Sequence, residues 1–236
     1  MAKLNIVAIS DLHGYLPEIT VPAEIMLIAG DISPLMIQRN IPKVKEWLET
    51  KFLEWVIRLP VQKVFLIAGN HDWFQSWRDS DIYQFEKMFG GKLKYLVNET
   101  TEYLDTNGIY WSIFGTPYCH MFGSWPFMVS DEYMEELFEK IPNFVDIIIS
   151  HDPPFSVGYV DVILEKVRHM GQEEHVGNYP LRKRLEKIKY LIGVFGHIHS
   201  GSHQLFEFNG GQCVNVSIKD ERYEPTYEPF YYALEK

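Results

Sequence analysis

Cysteine is scarce in this 236-residue chain, which holds Cys119 and Cys213 and no others. Two thiols cannot build a disulfide framework, and their wide separation is not a zinc-ligand spacing. A reducing compartment is the simpler expectation. Long apolar runs are also lacking. The N-terminal run 4–9 is too short for a signal-peptide core and leads straight into Asp11 and His13. No segment is long and apolar enough to span a bilayer. Basic residues are in the minority, 22 Lys and Arg against 32 Asp and Glu, for a formal charge of −10. That argues against gripping a nucleic-acid backbone or an anionic membrane as the main task. Small phosphate substrates stay open, because bound dications reverse the field locally. With no low-complexity segment, repeat or linker, residues 1–236 read as one domain. A cytoplasmic protein is expected.

Apolar material is plentiful, at 46% hydrophobic and 15% aromatic residues, enough to fill a sizeable core. Much of it falls in short runs that read as buried strands: 4–9, 24–29, 63–67, 146–149 and 190–195. Apolar residues at 44, 47, 48, 52, 55, 56 and 59 make one wide helical face before Pro60, with Trp47 and Trp55 in it. Ser130 caps a predicted helix over 131–141. A helix over 180–189 turns Leu181, Leu185 and Ile188 inward and leaves its five cations as a solvated face. Short strands at 95–97, 101–104 and 109–114, the last two joined by Thr106-Asn107-Gly108, suggest a second, mixed sheet. Residues 155–177 read as a long loop with a helical turn. A hairpin over 205–216 and an edge strand at 230–234 close the chain. Continuous apolar strands alternating with helices predict an α/β fold whose sheets are covered on their faces.

Five strand ends carry residues that suit chemistry. They are Asp11 with His13, Gly30-Asp31, Gly69-Asn70-His71-Asp72, Ser150-His151-Asp152, and Gly196-His197-Ile198-His199. Five of the nine histidines sit there. The two-apart spacings Asp11-x-His13 and His197-x-His199 put both side chains on one side of an extended segment. Mixed oxygen and imidazole donors suit borderline divalent ions such as manganese, iron, zinc or nickel, rather than calcium. Each piece has a bland reading: Asp31 as a turn residue, Asn70 as a left-handed turn position, His151 as a hydrogen-bonded core histidine. All five arising by accident in one chain is the poorer explanation.

The ordered set Asp11-x-His13, Gly30-Asp31, Gly69-Asn70-His71-Asp72, His151 and Gly196-His197-x-His199 resembles the calcineurin-like metallophosphoesterase superfamily. Residues 113–117, Phe122, Trp125, Phe127 and His151-x-Pro153-Pro154 followed by Gly158 resemble class III cyclic-nucleotide phosphodiesterases and the animal metallophosphoesterase-domain proteins. Asp152 departs from the small residue those relatives tend to have, and the chain beyond His199 matches only loosely. The resemblance implies a two-sheet β-sandwich flanked by helices, in four layers α/β/β/α. It also implies two divalent metal ions, one held by Asp11, His13, Asp31 and His199, the other by Asp31, Asn70, His151 and His197. His71 would act as a general acid beside the metals, Asn70 would also contact the phosphate, and Asp72 would fix the loop or the ring. Water activated between the metals would attack phosphorus in line.

The expected substrate is a small phosphate ester, with a phosphodiester such as a cyclic nucleotide favoured. Aromatics at 73–77 and 118–127 could stack on a flat leaving group, although Trp125 and Phe127 are expected to pack their loop onto the domain. His120, His169, His175 and His203 match no ligand pattern. Alternatives are a phosphomonoesterase or protein phosphatase on the same metals, a nuclease, and a metal-binding scaffold. No membrane or polymeric nucleic-acid partner is expected, and a homodimer is left open.

Overall fold

The computed structural model describes residues 2–74, 77–163, 174–201 and 203–236. Parallel strands β1 (Lys3–Ile9), β2 (Ile25–Ala29) and β3 (Lys63–Ile67) lie side by side. Helices α1 (Ile41–Trp47) and α2 (Leu53–Arg58) connect β2 to β3, and α3 (Asp79–Met88) connects β3 to a fourth parallel strand, β4 (Leu93–Tyr95). The chain then builds a second sheet. Strands β5 (Glu99–Leu104) and β6 (Tyr110–Thr116) form a hairpin. The short pair β7 (Cys119–His120) and β8 (Met128–Val129) precedes α4 (Asp131–Phe138) and β9 (Phe144–Ser150). A second short pair, β10 (Val162–Ile163) and β11 (Glu174–His175), leads to α5 (Tyr179–Leu185) and β12 (Lys189–Phe195). Strands β13 (Phe206–Phe208) and β14 (Gly211–Asn215) complete that sheet, and β15 (Phe230–Glu235) returns antiparallel to β1.

The sheet orders are β15-β1-β2-β3-β4 and β13-β14-β12-β9-β6-β5. Alternation along the strands explains the stacking. Leu4, Ile6 and Ala8 of β1, with Phe65 and Ile67 of β3, meet Ile147, Ile149, Ile192 and Val194 between the sheets. Val7, Ile9, Val64 and Leu66 face the other way, into a cluster with Val44, Phe52, Val56 and Phe85 of the first helices. Met134, Phe138, Leu181 and Leu185 of α4 and α5 cover Ile148 on the far side. The result is the predicted four-layer sandwich.

Local differences have physical reasons. The helix read as continuous over 44–59 is broken by a π turn at Leu48–Phe52. Its buried residues Val44, Leu48, Phe52 and Val56 fall four apart. Each step of four overshoots an α-helical turn by about 40°, and the wider π turn absorbs the excess. Trp47 and Trp55 are half-buried against the same cluster, and Trp55 Nε1 donates to the Pro17 carbonyl at 2.8 Å. Helix α3 was not foreseen. Because a helix lies between β3 and β4, the strand sought at 95–97 runs instead at Leu93–Tyr95, parallel in the first sheet rather than in the second. Helix α4 starts on Ser130, which accepts from Tyr133 N–H, but stops at Phe138. Helix α5 stops at Leu185, because β12 already begins at Lys189. Its cations are engaged: Lys183 Nζ lies 2.7 Å from Glu135, and Arg184 bonds the Ile141 carbonyl and Asn143. Of the stretch 155–177, residues 155–163 and 174–177 are described; 155–161 run through turns, with the Val160 N–H donating to Val157 O at 3.3 Å, and Val162–Ile163 pairs with Glu174–His175 as β10 and β11. Gln75, Ser76 and His169 fall outside the described residues. Among the described residues no helix is long and apolar enough to cross a membrane.

Truncating Ile147 to Ala opens a void between the two sheets. We expect urea unfolding to show a loss of about 2–5 kcal/mol with an unchanged slope; a loss below about 1 kcal/mol would mean the sheets do not share a tight core there.

Candidate active site

Strands β1, β2 and β3 run parallel, as do β9 and β12, so their carboxyl ends open on one edge where the two sheets meet. All five predicted strand ends arrive there. Asp11, His13, Asp31 and His197 sit in left-handed backbone, at φ 56°, 43°, 52° and 68°. Non-glycine residues adopt this region at a cost of about 1–3 kcal/mol each, so the surrounding structure must hold them. The Asp11 N–H donates to Gly30 O (3.1 Å) and the His13 N–H to Asp31 O (2.8 Å). His197 N–H donates to Asp11 Oδ2 (3.0 Å), and His71 N–H to Asp31 Oδ1 (2.7 Å). Gly69 must stay glycine, because an added Cβ would lie 2.3 Å from Asp31 Oδ1 and 2.6 Å from His151 Nε2.

The side-chain atoms converge on Asp31. Its Oδ2 stands 3.7 Å from His13 Nε2 and 3.4 Å from His151 Nε2. On one flank His199 Nε2 lies 3.4 Å from Asp11 Oδ1 and 3.3 Å from His13 Nε2. On the other, Asn70 Oδ1 lies 3.0 Å from His151 Nε2, and the His197 ring packs 5.1 Å from that of His151. Asp11, His13 and His199 can converge on one ion, as can Asp11, Asp31 and His151. The donor set fits divalent metals on its own evidence. Asp11 Oδ1 and His13 Nδ1 are buried without a hydrogen bond, and imidazole nitrogens face each other and carboxylates. Backbone carbonyls fix two of these rings: His151 Nδ1 donates to Ala29 O (2.7 Å) and His199 Nδ1 to Asp220 O (2.8 Å). Each Nε2 is thereby turned inward, as metal-binding histidines require.

Burial and charge set the protonation states. Burial works to raise Asp31, but the His151 charge and hydrogen bond outweigh it and hold the carboxyl below its usual range. Asp11 is held well down in the same way, against burial, by His199. Burial opposes the charged form of His151 and His199, yet the carboxylates Asp31 and Asp11 raise them to about 10 and about 9. Burial lowers His13 to about 4, and burial with the neighbouring His151 charge does the same to His197.

The remaining predicted residues fall around this cluster. His71 stands outside it, its ring 5.0 Å from that of His13, with Nδ1 2.7 Å from Gln38 Oε1. Asp72 points away from the cavity. Its oxygens accept from the N–H groups of Gly69 (3.0 Å), Ile32 (3.2 Å) and Ser33 (2.9 Å), which ties the second and third strand-end loops together. Burial and the nearby Asp31 raise it to about 6. Phe127 is buried in the first core cluster, as expected. Trp125 instead lines the cavity, its ring 4.6 Å from that of His71 and beneath Arg39. Of the 73–77 aromatics, Phe74 and Trp77 join the core, and Trp73 alone reaches Trp125 and Arg39.

Three features escaped the sequence reading. Gln38 fixes the His71 ring from a loop with no motif. His120 lines the cavity and bonds Asp152 Oδ2 through Nδ1 at 2.7 Å. Tyr223, at φ 62°, lays its ring 4.9 Å from that of His13 and 5.1 Å from that of His199. Only the departure at Asp152 signalled any of these. The cavity encloses about 540 Å³.

Residues 4–201 match the model of the calcineurin-like phosphoesterase family. The chain belongs to that family. It is therefore a hydrolase of phosphate esters, from a family that works with divalent metals at a dinuclear site. It is 28% identical to metallophosphoesterase domain-containing protein 1 of Homo sapiens, over 94% of this chain and 68% of that one. It is 29% identical to the UPF0046 protein K07C11.7 of Caenorhabditis elegans, over 89% of this chain and 70% of the other. The fold is shared with the protein TT1561 of Thermus thermophilus at TM-score 0.56 and 11% identity, covering 91% and 89% of the two chains.

Metal uptake should release protons. Metal-free His151 and His199 carry their protons at pH ~7.5, being raised to about 10 and about 9, and a metal takes the neutral ring. Affinity should therefore fall as pH falls. Manganese titrations by calorimetry in buffers of different ionisation enthalpy should report one proton from each of these rings; uptake with no buffer dependence would contradict the assignment.

Proposed function

We propose that this chain hydrolyses phosphodiesters at a two-metal centre, with a cyclic nucleotide or a similar flat-leaving-group diester as its natural substrate. Asp11, His13, Asp31 and His199 would hold one metal. Asp31, Asn70, His151 and His197 would hold the second. The observation that carries the choice of diester is the charge of the cavity. Among the described residues lining it there is no lysine or arginine, and Glu221 adds a carboxylate. A monoester dianion brings one more negative charge than a diester, and beyond the metals and histidines the described wall has no lysine or arginine to meet it; Arg39 stacks on Trp73 and Trp125 instead.

When bound, the metals supply Lewis-acid neutralisation of phosphoryl charge and a nucleophilic water at neutral pH. The chain's own groups do the rest. With Nδ1 donating to Gln38, His71 presents Nε2 as the atom that can pass a proton to the departing oxygen. Asp72 keeps the loop beneath it in place by accepting three backbone N–H groups. Trp125 and Tyr223 line the approach with flat apolar surface on which a base or aryl group can stack.

The test pairs metal analysis with manganese-dependent hydrolysis of bis(p-nitrophenyl) phosphate and p-nitrophenyl phosphate. The diester should be cleaved, and Asp31→Ala and Asn70→Ala should abolish turnover. His71→Ala should keep its metal and lose about 10²–10⁴-fold in rate, most on poor leaving groups. Cleavage of the monoester alone would overturn the diester reading. Metal loss in His71→Ala as complete as in Asp31→Ala would overturn the acid assignment.

A further inference from the structure

The Asp152 carboxylate is fully buried beside His151, and no part of the mechanism above uses it. A carboxylate in such a place must be met by donors. Its Oδ2 collects three: the His120 N–H at 2.9 Å, His120 Nδ1 at 2.7 Å and Asn178 Nδ2 at 3.0 Å. Two of the three come from one residue, so His120 is gripped by backbone and ring together. The grip has a direction. With Nδ1–H given to Asp152, Nε2 is the ring's remaining polar atom, and nothing among the described residues bonds it. The ring forms part of the cavity wall, packed edge-on 6.5 Å from that of His197. His71 occupies a different flank, against His13. The cavity thus has an oriented imidazole beside each half of the ligand cluster, and the sequence reading accounted for one of them. Tying loops together does not explain the second, because the His120 N–H and the Asn178 amide already join the loops through Asp152 Oδ2, and neither bond needs the ring to face the cavity.

We propose that His120, carrying hydrogen on both ring nitrogens, is a second substrate-contacting residue of this active site, giving Nδ1–H to Asp152 and Nε2–H to a phosphoryl oxygen of the bound ester, and that Asp152 positions it. Next to His197, the part of an ester within reach is the phosphoryl group rather than the leaving group, which the aromatic flank of Trp125 and Tyr223 receives. The pair also explains the departure at position 152: a small residue there could not hold the ring. This rests on the phosphoesterase reading of the same cavity.

The test uses the full chain loaded with manganese and dimethyl phosphate, a diester too inert to turn over. Calorimetry should show that His120→Ala keeps the wild-type metal content but binds dimethyl phosphate about tenfold or more weakly, as expected for loss of a hydrogen bond to a charged group. His120→Gln, whose amide can reach the same oxygen, should recover part of that loss. The KM for bis(p-nitrophenyl) phosphate should rise in parallel. Asp152→Asn should weaken dimethyl phosphate when His120 is present and add nothing in the His120→Ala background, whereas a purely structural role would add in both. Unchanged dimethyl phosphate affinity in His120→Ala would overturn the proposal. So would loss of metal in His120→Gln, which would make the ring a ligand. If the wild-type chain cleaved neither ester, the phosphoesterase reading would fail, while the calorimetric contrast would still decide the phosphate contact.

Discussion

Asp31 belongs to a short turn after β2, yet it reaches groups from both sheets. Its Oδ1 accepts the His71 N–H at 2.7 Å, and its Oδ2 lies within 3.7 Å of His13 and 3.4 Å of His151. Its own carbonyl takes the His13 N–H. Four loops are therefore referred to one carboxylate. The left-handed backbone at Asp31, the missing Cβ at Gly69 and the three amides gathered by Asp72 all serve that arrangement. A carboxylate ringed by imidazoles is stable only where charge balances, which is why the depressed acid and the raised His151 belong to one constraint.

The sandwich makes the convergence possible. Strands that are apolar on both faces can stack two sheets between helices, and parallel strands deliver their carboxyl ends to one edge. The site thus lies where two sheets contribute loops and neither could complete it alone. Asp11, His13, Asp31, Asn70 and His71 come from the first sheet, and His151, His197 and His199 from the second.

Much of this was legible in the sequence because metal ligation restricts residue type, and strand ends restrict position. Asp11-x-His13 and Gly196-His197-x-His199 announce themselves, and so do the apolar runs before them. The rest was hidden for physical reasons. The pairing of His120 with Asp152 spans 32 residues and depends on β7, a two-residue strand with no pattern of its own. Gln38 and Tyr223 are held by loop geometry, and a tyrosine at positive φ carries no local signal. Helix α3 buries Phe85 alone among its residues, so its periodicity is weak, and missing it displaced β4 into the wrong sheet. Trp125 looked like packing because aromatic loops usually pack, yet it stands against His71.

The most direct measurement of the central claim is anomalous diffraction from a crystal of the manganese-loaded protein. The expected map has two manganese peaks at the edge where the sheets meet, with Asp31 as a ligand of both and His71 and His120 as ligands of neither. A single peak, or two peaks with no ligand in common, would contradict the account.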